Sequence, residues 1–179
     1  MVLNVKGQGQ VDFRNSNLTG SRFVFDVDGT TKLAGPAFAA QLYYSTTQNG
    51  TYVPVAAPSV AFRNVGAGDG FWNPGASSAR NIPGTLGNQS VFLIVRAWNT
   101  AAGATWEAAS LNADGRISSP NAVGFAYTLG GDPGDGSPAV TAPAMNGFQS
   151  FSLVPVPEPS TIALGILGAG SLLFLRRKK

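Results

Sequence analysis

Glycine and proline interrupt this chain throughout, and they constrain its fold more than any other feature. There are 23 Gly and 12 Pro among 179 residues, roughly a fifth of the chain where ~12% is average. Turn dipeptides such as Asp28-Gly29, Asn49-Gly50 and Asp114-Gly115 separate short runs of β-branched and aromatic residues. This pattern is typical of strands joined by turns and argues against a helical bundle.

The apolar runs between these turns predict the strands. They lie at 9–15, 22–27, 38–45, 52–55, 59–64, 90–98, 122–129 and 147–154. The run at 90–98 is the most apolar, so we expect it at the centre of a sheet. One short helix is predicted over Thr105–Ala113, with Thr105 as its N-cap and Gly115 past its end. We therefore predict an all-β fold, an antiparallel β-sandwich of about seven to nine strands followed by a short C-terminal transmembrane helix.

Composition divides the chain into four segments. Residues 1–129 are predicted to form the β-sandwich ectodomain, and 130–147 a Gly/Pro-rich loop or linker. Residues 148–154 are predicted as the final strand of the ectodomain. The last segment, 155–179, differs in character from everything before it.

Three elements follow one another in that last segment. A stiff stretch contains Pro157, Glu158 and Pro159, and four cations, Arg176, Arg177, Lys178 and Lys179, end the chain. A 15-residue uncharged helix between them would span about 22 Å, against the ~30 Å hydrocarbon core of a bilayer, so snorkelling cations must complete the span. A buried core helix is the alternative, which the terminal cations disfavour. The predicted membrane segment consists of Thr161, Ile162, Ala163, Leu164, Gly165, Ile166, Leu167, Gly168, Ala169, Gly170, Ser171, Leu172, Leu173, Phe174 and Leu175.

The order of these elements resembles the PEP-CTERM protein-sorting domain of bacterial surface proteins. In that family, the Pro-Glu-Pro segment is recognised by a membrane-embedded exosortase, which processes the protein near the motif. The resemblance implies that Pro157, Glu158 and Pro159 are the recognition element and that the tail is a transient membrane anchor. It also implies a β-rich ectodomain in the bacterial cell envelope, first membrane-anchored and then at the cell surface or extracellular.

The charges at the end of the chain support a membrane topology in which the β-rich domain lies outside the cytoplasm. The positive-inside rule keeps the four terminal cations, 176–179, in the cytoplasm and places the domain on the other side of the membrane. Because Met1–Gln10 has no apolar h-region, we expect a signal peptide that is missing from this sequence. A tail-anchored protein with a cytoplasmic domain is the alternative, and the cationic end contradicts it. The remaining eight basic side chains are scattered singly among nine acidic ones, which excludes a nucleic-acid-binding surface.

Candidate chemical sites are few. With no Cys and no His, the chain lacks a thiol nucleophile, a Ser-His pair and a Cys/His metal site. Asp26 and Asp28 are candidate calcium ligands, although a turn that ends a strand is the favoured interpretation. Glu107 is the only Glu before the sorting motif, so paired-carboxylate catalysis has little support. Phe71-Trp72 is either an exposed platform for sugar rings or a plug at the end of the core.

These observations predict an exported, non-enzymatic protein of the surface or extracellular (biofilm) matrix, without a cofactor. Its expected partners are the membrane, through the C-terminal helix, an exosortase-type processing enzyme, and polysaccharide or other envelope components. A lectin-like or calcium-dependent adhesive binding module is the alternative. An enzyme is the third and least supported class.

Overall fold

Ten strands and one short helix make up the part of the chain that the computed structural model describes, residues 8–20, 22–75 and 77–157. The elements are β1 (Gly9–Asp12), β2 (Val24–Phe25), β3 (Phe38–Ser45), β4 (Val53–Pro54), β5 (Val60–Ala61), β6 (Ala79–Ile82), β7 (Ser90–Asn99), α1 (Trp106–Ala109), β8 (Arg116–Ser118), β9 (Phe125–Thr128) and β10 (Phe151–Pro155). The prediction of a mostly β protein with almost no helix is confirmed.

Eight of the strands form one sheet. Its order is β2-β10-β8-β7-β3-β4, with β5 also paired to β3 and β9 to β7. All pairs are antiparallel except β2 with β10, which run parallel. The remaining strands, β1 and β6, form a separate antiparallel ribbon. The sheet therefore differs from the predicted fully antiparallel arrangement at one pair, and the strand count exceeds seven to nine.

Strands β3 and β7 form the longest strand pair of the sheet and lie at its centre. They pair continuously from Phe38↔Asn99 to Ser45↔Phe92, and the apolar sequence of β7 explains its central place. Most β7 residues are buried, on both faces of the sheet. Leu93 and Val95 enter a large core cluster, while Trp98 belongs to a second, smaller one.

Local sequence signals explain several connections. The turn expected at Asn49-Gly50 is present and forms a hairpin, with β4 antiparallel to β3 and Asn49 at a φ of 101°, the left-handed region that Asn tolerates. The predicted helix is shorter than expected, covering only Trp106–Ala109. Its N-cap is Thr105, as predicted, whose side chain accepts a hydrogen bond from the Ala108 N–H.

The Gly/Pro-rich segment 130–147 contains neither helix nor strand and packs against the domain. Gly131 and Val140 exchange two backbone hydrogen bonds of 2.7 and 2.9 Å. The Tyr127 hydroxyl donates to the Pro143 carbonyl at 2.6 Å, and the Met145 side chain is fully buried. These contacts fasten the segment at its start, middle and end.

Within the described residues, no helix is long and apolar enough to cross a bilayer. The predicted membrane segment, 161–175, and the basic end, 176–179, lie outside those residues.

Candidate sorting and processing site

The last strand leads directly into the Pro-Glu-Pro motif. Along β10, Phe151 and Ser152 pair with β2, whereas the register from Leu153 to Pro155 pairs with β8. The Leu153 side chain is 2% exposed and lies in the large core cluster. Strand β10 is therefore paired into the sheet along its whole length, first with β2 and then with β8, and is not a loose extension of it.

The residue after β10 is also fixed to the domain. The Val156 N–H donates a 2.8 Å hydrogen bond to the Gly115 carbonyl oxygen. Its side chain is 9% exposed and belongs to the second core cluster. That cluster also contains Ala39, Trp98, Ala102, Trp106, Ala109 and Ile117.

A glycine at 115 makes this anchoring possible. A Cβ at Gly115 would clash first with the carbonyl oxygen of Ala109, and it would lie 2.7 Å from Cγ2 of Val156 and 2.8 Å from the carbonyl oxygen of Asn112, all closer than van der Waals contact allows. The sequence marked Gly115 as part of a turn dipeptide and as the residue past the helix. Its contact with Val156 escaped sequence reasoning, because nothing in the local pattern connects two positions so far apart.

The two tryptophan side chains in the cluster that contains Val156 are themselves held by hydrogen bonds. The Trp106 indole N–H donates to the Ser118 carbonyl at 3.2 Å, and that of Trp98 to the Gly103 carbonyl at 3.0 Å. Satisfying these buried donors fixes the two rings. Val156 thus belongs to a cluster whose two tryptophan rings, from α1 and β7, are fixed in place.

The Arg96 side chain connects α1 to the sheet. Its guanidinium lies 4.6 Å from the ring centroid of Tyr43 and 3.7 Å from that of Trp106. Glu107 accepts hydrogen bonds from Arg96 at 3.2 Å and from the Tyr43 hydroxyl at 2.9 Å. Burial and the adjacent Glu107 carboxylate both raise the pKa of Tyr43. Glu107 therefore has a structural role in holding α1.

Of the motif residues, only Pro157 lies within the described range, and it is exposed. Glu158 and Pro159 lie outside it. Pro157 is thus the first residue of the motif and also the first exposed position after the buried Val156.

The two candidate calcium ligands have separate intramolecular partners. Asp26 pairs with Arg116, with 2.5 Å between Oδ2 and Nη1, and also accepts from the Val27 N–H. Asp28 accepts from the Thr31 hydroxyl and from two backbone N–H groups. These hydrogen bonds, led by that from Thr31, lower the pKa of Asp28 to about 2. Nowhere in 8–20, 22–75 and 77–157 do three or more His, Cys, Asp or Glu side chains group as a metal site would need.

The Phe71-Trp72 pair contributes to packing. Trp72 is fully buried, stacks on Phe13 at a centroid distance of 4.9 Å, and donates its indole N–H to the Phe13 carbonyl at 3.0 Å. Phe71 packs on Phe23 at 4.9 Å. Trp72 is therefore a core residue and offers no face to a sugar ring.

A separate cavity of about 490 Å³ lies beside the β1–β6 ribbon. Its lining includes Arg80, whose guanidinium donates to three backbone carbonyls. Burial lowers the pKa of Arg80, and among the described residues no carboxylate lies within 4 Å of it. Asn81 and Gln8 add polar groups, so the cavity could accept a small anionic or hydroxylated ligand.

Comparison with known proteins identifies the end of the chain. Residues 155–179 match the family model of the PEP-CTERM protein-sorting motif. No curated protein and no solved structure matches the chain. The motif implies an exported, envelope-targeted protein that an exosortase processes, and it confirms the resemblance seen in the sequence.

Proposed function

We propose that this chain is a non-enzymatic protein of the bacterial surface or extracellular matrix. Its β domain is delivered through the C-terminal signal and then released from a transient anchor. The observation that carries the proposal is the match to the sorting motif at 155–179, which begins at the end of a fully folded strand. The ribbon of β1 and β6 would form the second layer of a sandwich over the eight-stranded sheet.

The arrangement of charge supports the orientation. Arg176–Lys179 stay in the cytoplasm, so segment 161–175 crosses the bilayer and the β domain faces outward. Export in this orientation requires a signal peptide upstream of the domain. Polysaccharide and other envelope components are then the nearest partners for the exposed surface.

The test replaces Glu158 and Pro159 with Ala in the native host. The expected result is an uncleaved form that stays in the membrane fraction, because the recognition element is gone. A matched control replaces Asp135 and Pro138, an exposed acid and proline in the loop before β10, and should be processed normally. Identical C-terminal peptides in the motif variant and the wild type, measured by mass spectrometry, would contradict the proposal.

A binding module is the second candidate function. The cavity beside Arg80 supports it, because a buried guanidinium whose hydrogen-bond partners are backbone carbonyls can donate to the carboxylate or hydroxyl groups of an acidic saccharide. A glycan array that includes uronic acids tests this candidate. Binding that Arg80→Gln abolishes would establish a lectin-like role.

Calcium dependence has a separate test. Asp26 and Asp28 are occupied by Arg116 and by the Thr30–Thr31 backbone, so we expect millimolar Ca²⁺ to leave the melting temperature unchanged. A rise in melting temperature that Asp28→Ala removes would instead favour a calcium-dependent adhesive domain. Hydrolytic assays on glycoside, ester and peptide substrates should give only background.

A further inference from the structure

The fold and the sorting motif meet without a spacer. Val156 is buried and hydrogen-bonded, and Pro157 is exposed and begins the Pro-Glu-Pro sequence. A processing enzyme that recognises Pro157–Pro159 therefore works against a folded surface on the N-terminal side of its recognition element.

We propose that the folded domain sets the N-terminal limit of processing, so that the scissile bond lies on the C-terminal side of Pro157. The mature protein then keeps the whole of β10, together with Val156 and Pro157. This inference rests on the proposed function, since it requires that an exosortase cuts the chain. It adds the position of the cut relative to the fold.

The hydrogen bonding of β10 supports this limit. A protease engages an extended segment through its backbone, much as an added strand pairs with a sheet edge. Phe151 and Ser152 are paired to β2, Leu153–Pro155 are paired to β8, and the Val156 N–H is bonded to Gly115. Cutting any bond before Pro157 would first require the end of β10 to leave the sheet.

Side-chain burial points the same way. Leu153 and Val156 each belong to one of the two core clusters, so opening the strand past Leu153 exposes apolar surface of both. The opened state is rare, and cleavage there is slowed in proportion to its population. A cut after Pro157 exposes neither residue.

The covalent step is a hydrolysis. The amide C–N bond after Pro157, or after a later residue, breaks, and water adds its hydroxyl to the carbonyl carbon. The departing nitrogen takes up a proton and becomes the N-terminal amine of the released tail. The domain ends in a new carboxylate.

The first measurement is the intact mass of the full chain after processing in a host that contains its exosortase. The expected mass is that of a protein whose C-terminus is Pro157 or a later residue. A terminus at Val156 or before overturns the inference while leaving the proposed function intact. An unprocessed chain overturns both.

A second measurement needs no exosortase. The full chain, solubilised in a mild detergent, is digested with proteinase K, and the C-termini of the products are determined by mass spectrometry. The expected domain fragment retains Val156. Products that end within 151–155 at the earliest times would overturn the inference, because they would show that β10 opens readily.

A matched pair of variants tests whether the burial of Val156 sets the N-terminal limit of cleavage. Val156→Ala removes two buried methyl groups, so products ending within 151–155 should appear about tenfold faster than in the wild type. Val154→Ala, on the more exposed side of the same strand, should leave that rate within about twofold. Equal rates for the two variants would refute the role of Val156.

Discussion

The Leu153→Ala substitution tests most directly whether β10 is part of the core. Leu153 is 2% exposed and packs in the large cluster, whereas its neighbour Val154 is 37% exposed. The two residues point to opposite faces of one strand, so the same truncation to Ala has different consequences at adjacent positions. Val154→Ala is therefore the matched control.

The expected loss of stability in Leu153→Ala follows from the burial of the Leu153 side chain. Replacing a buried Leu by Ala removes transfer free energy and leaves a cavity, which costs about 2–5 kcal/mol. For a domain of this size, each kcal/mol lowers the melting temperature by roughly 2–4 °C. Leu153→Ala should therefore melt about 4–20 °C below the wild type. Val154→Ala should change the free energy of unfolding by less than about 1 kcal/mol.

The assay is thermal unfolding of the full chain in one mild detergent. Near-ultraviolet circular dichroism of the buried tryptophans monitors the unfolding. Far-ultraviolet spectra at low temperature must agree among the three proteins, which shows that each is folded before heating. A Leu153→Ala shift of less than 2 °C, or one no larger than that of Val154→Ala, would refute the placement of β10 in the core. It would also remove the physical basis for the proposed processing limit.

Three further predictions address other parts of the structure. Gly115→Ala should lower stability by about 1–3 kcal/mol in thermal unfolding, because its Cβ would press on the carbonyl oxygens of Ala109 and Asn112 as well as on Val156; an unchanged melting temperature would contradict this close packing around Gly115. Asp28 has a folded-state pKa of about 2, below its ordinary value of 3.8, so its stabilisation is present above pH ~4 and is lost as pH falls towards 2. Asp28→Ala should flatten that part of the pH profile of the melting temperature, and an unaltered profile would disprove the role of the carboxylate. Trp72→Ala should cost about 3–5 kcal/mol, measured by denaturant unfolding, and a loss below 1 kcal/mol would show that the ring is not in the core.

The long strands could be predicted from sequence because their signals are local. Strand β3 was expected at 38–45 and occupies Phe38–Ser45, and β7 extends only one residue beyond the predicted 90–98. Both strands are long enough that the apolar residues needed for burial can be recognised in their sequences. The hairpin at Asn49-Gly50 was likewise marked by a turn dipeptide.

Strands β6 and β8 could not be predicted in the same way. Strand β6 reads Ala-Arg-Asn-Ile and β8 reads Arg-Ile-Ser, with one strongly apolar residue in each. Their β conformation comes from tertiary pairing, β6 with β1 and β8 with both β7 and β10. Propensity and alternation carry little information over three or four residues.

The sorting site likewise has a part that could be predicted from local sequence and a part that could not. The Pro-Glu-Pro sequence, the uncharged run and the basic end are contiguous, so the sequence alone identified the motif. The anchoring of Val156 depends on a bond to Gly115 and on a surface that includes Trp98 and Trp106. Contacts between residues so distant in sequence arise from the fold, and no local pattern reports them.

The position of β10 in the sheet has a consequence for the order of events. It lies between β2 and β8 although it is the last strand in sequence, so the sheet cannot close until the chain through Val156 has crossed the membrane. The predicted membrane segment starts at Thr161, and the four residues before it span at most about 14 Å when fully extended. On the proposed topology, the domain completes its fold beside the bilayer while the tail still holds it. The proposed cut after Pro157 would free a domain that is already closed, because all the core residues in the part of the chain that the structure describes lie before it.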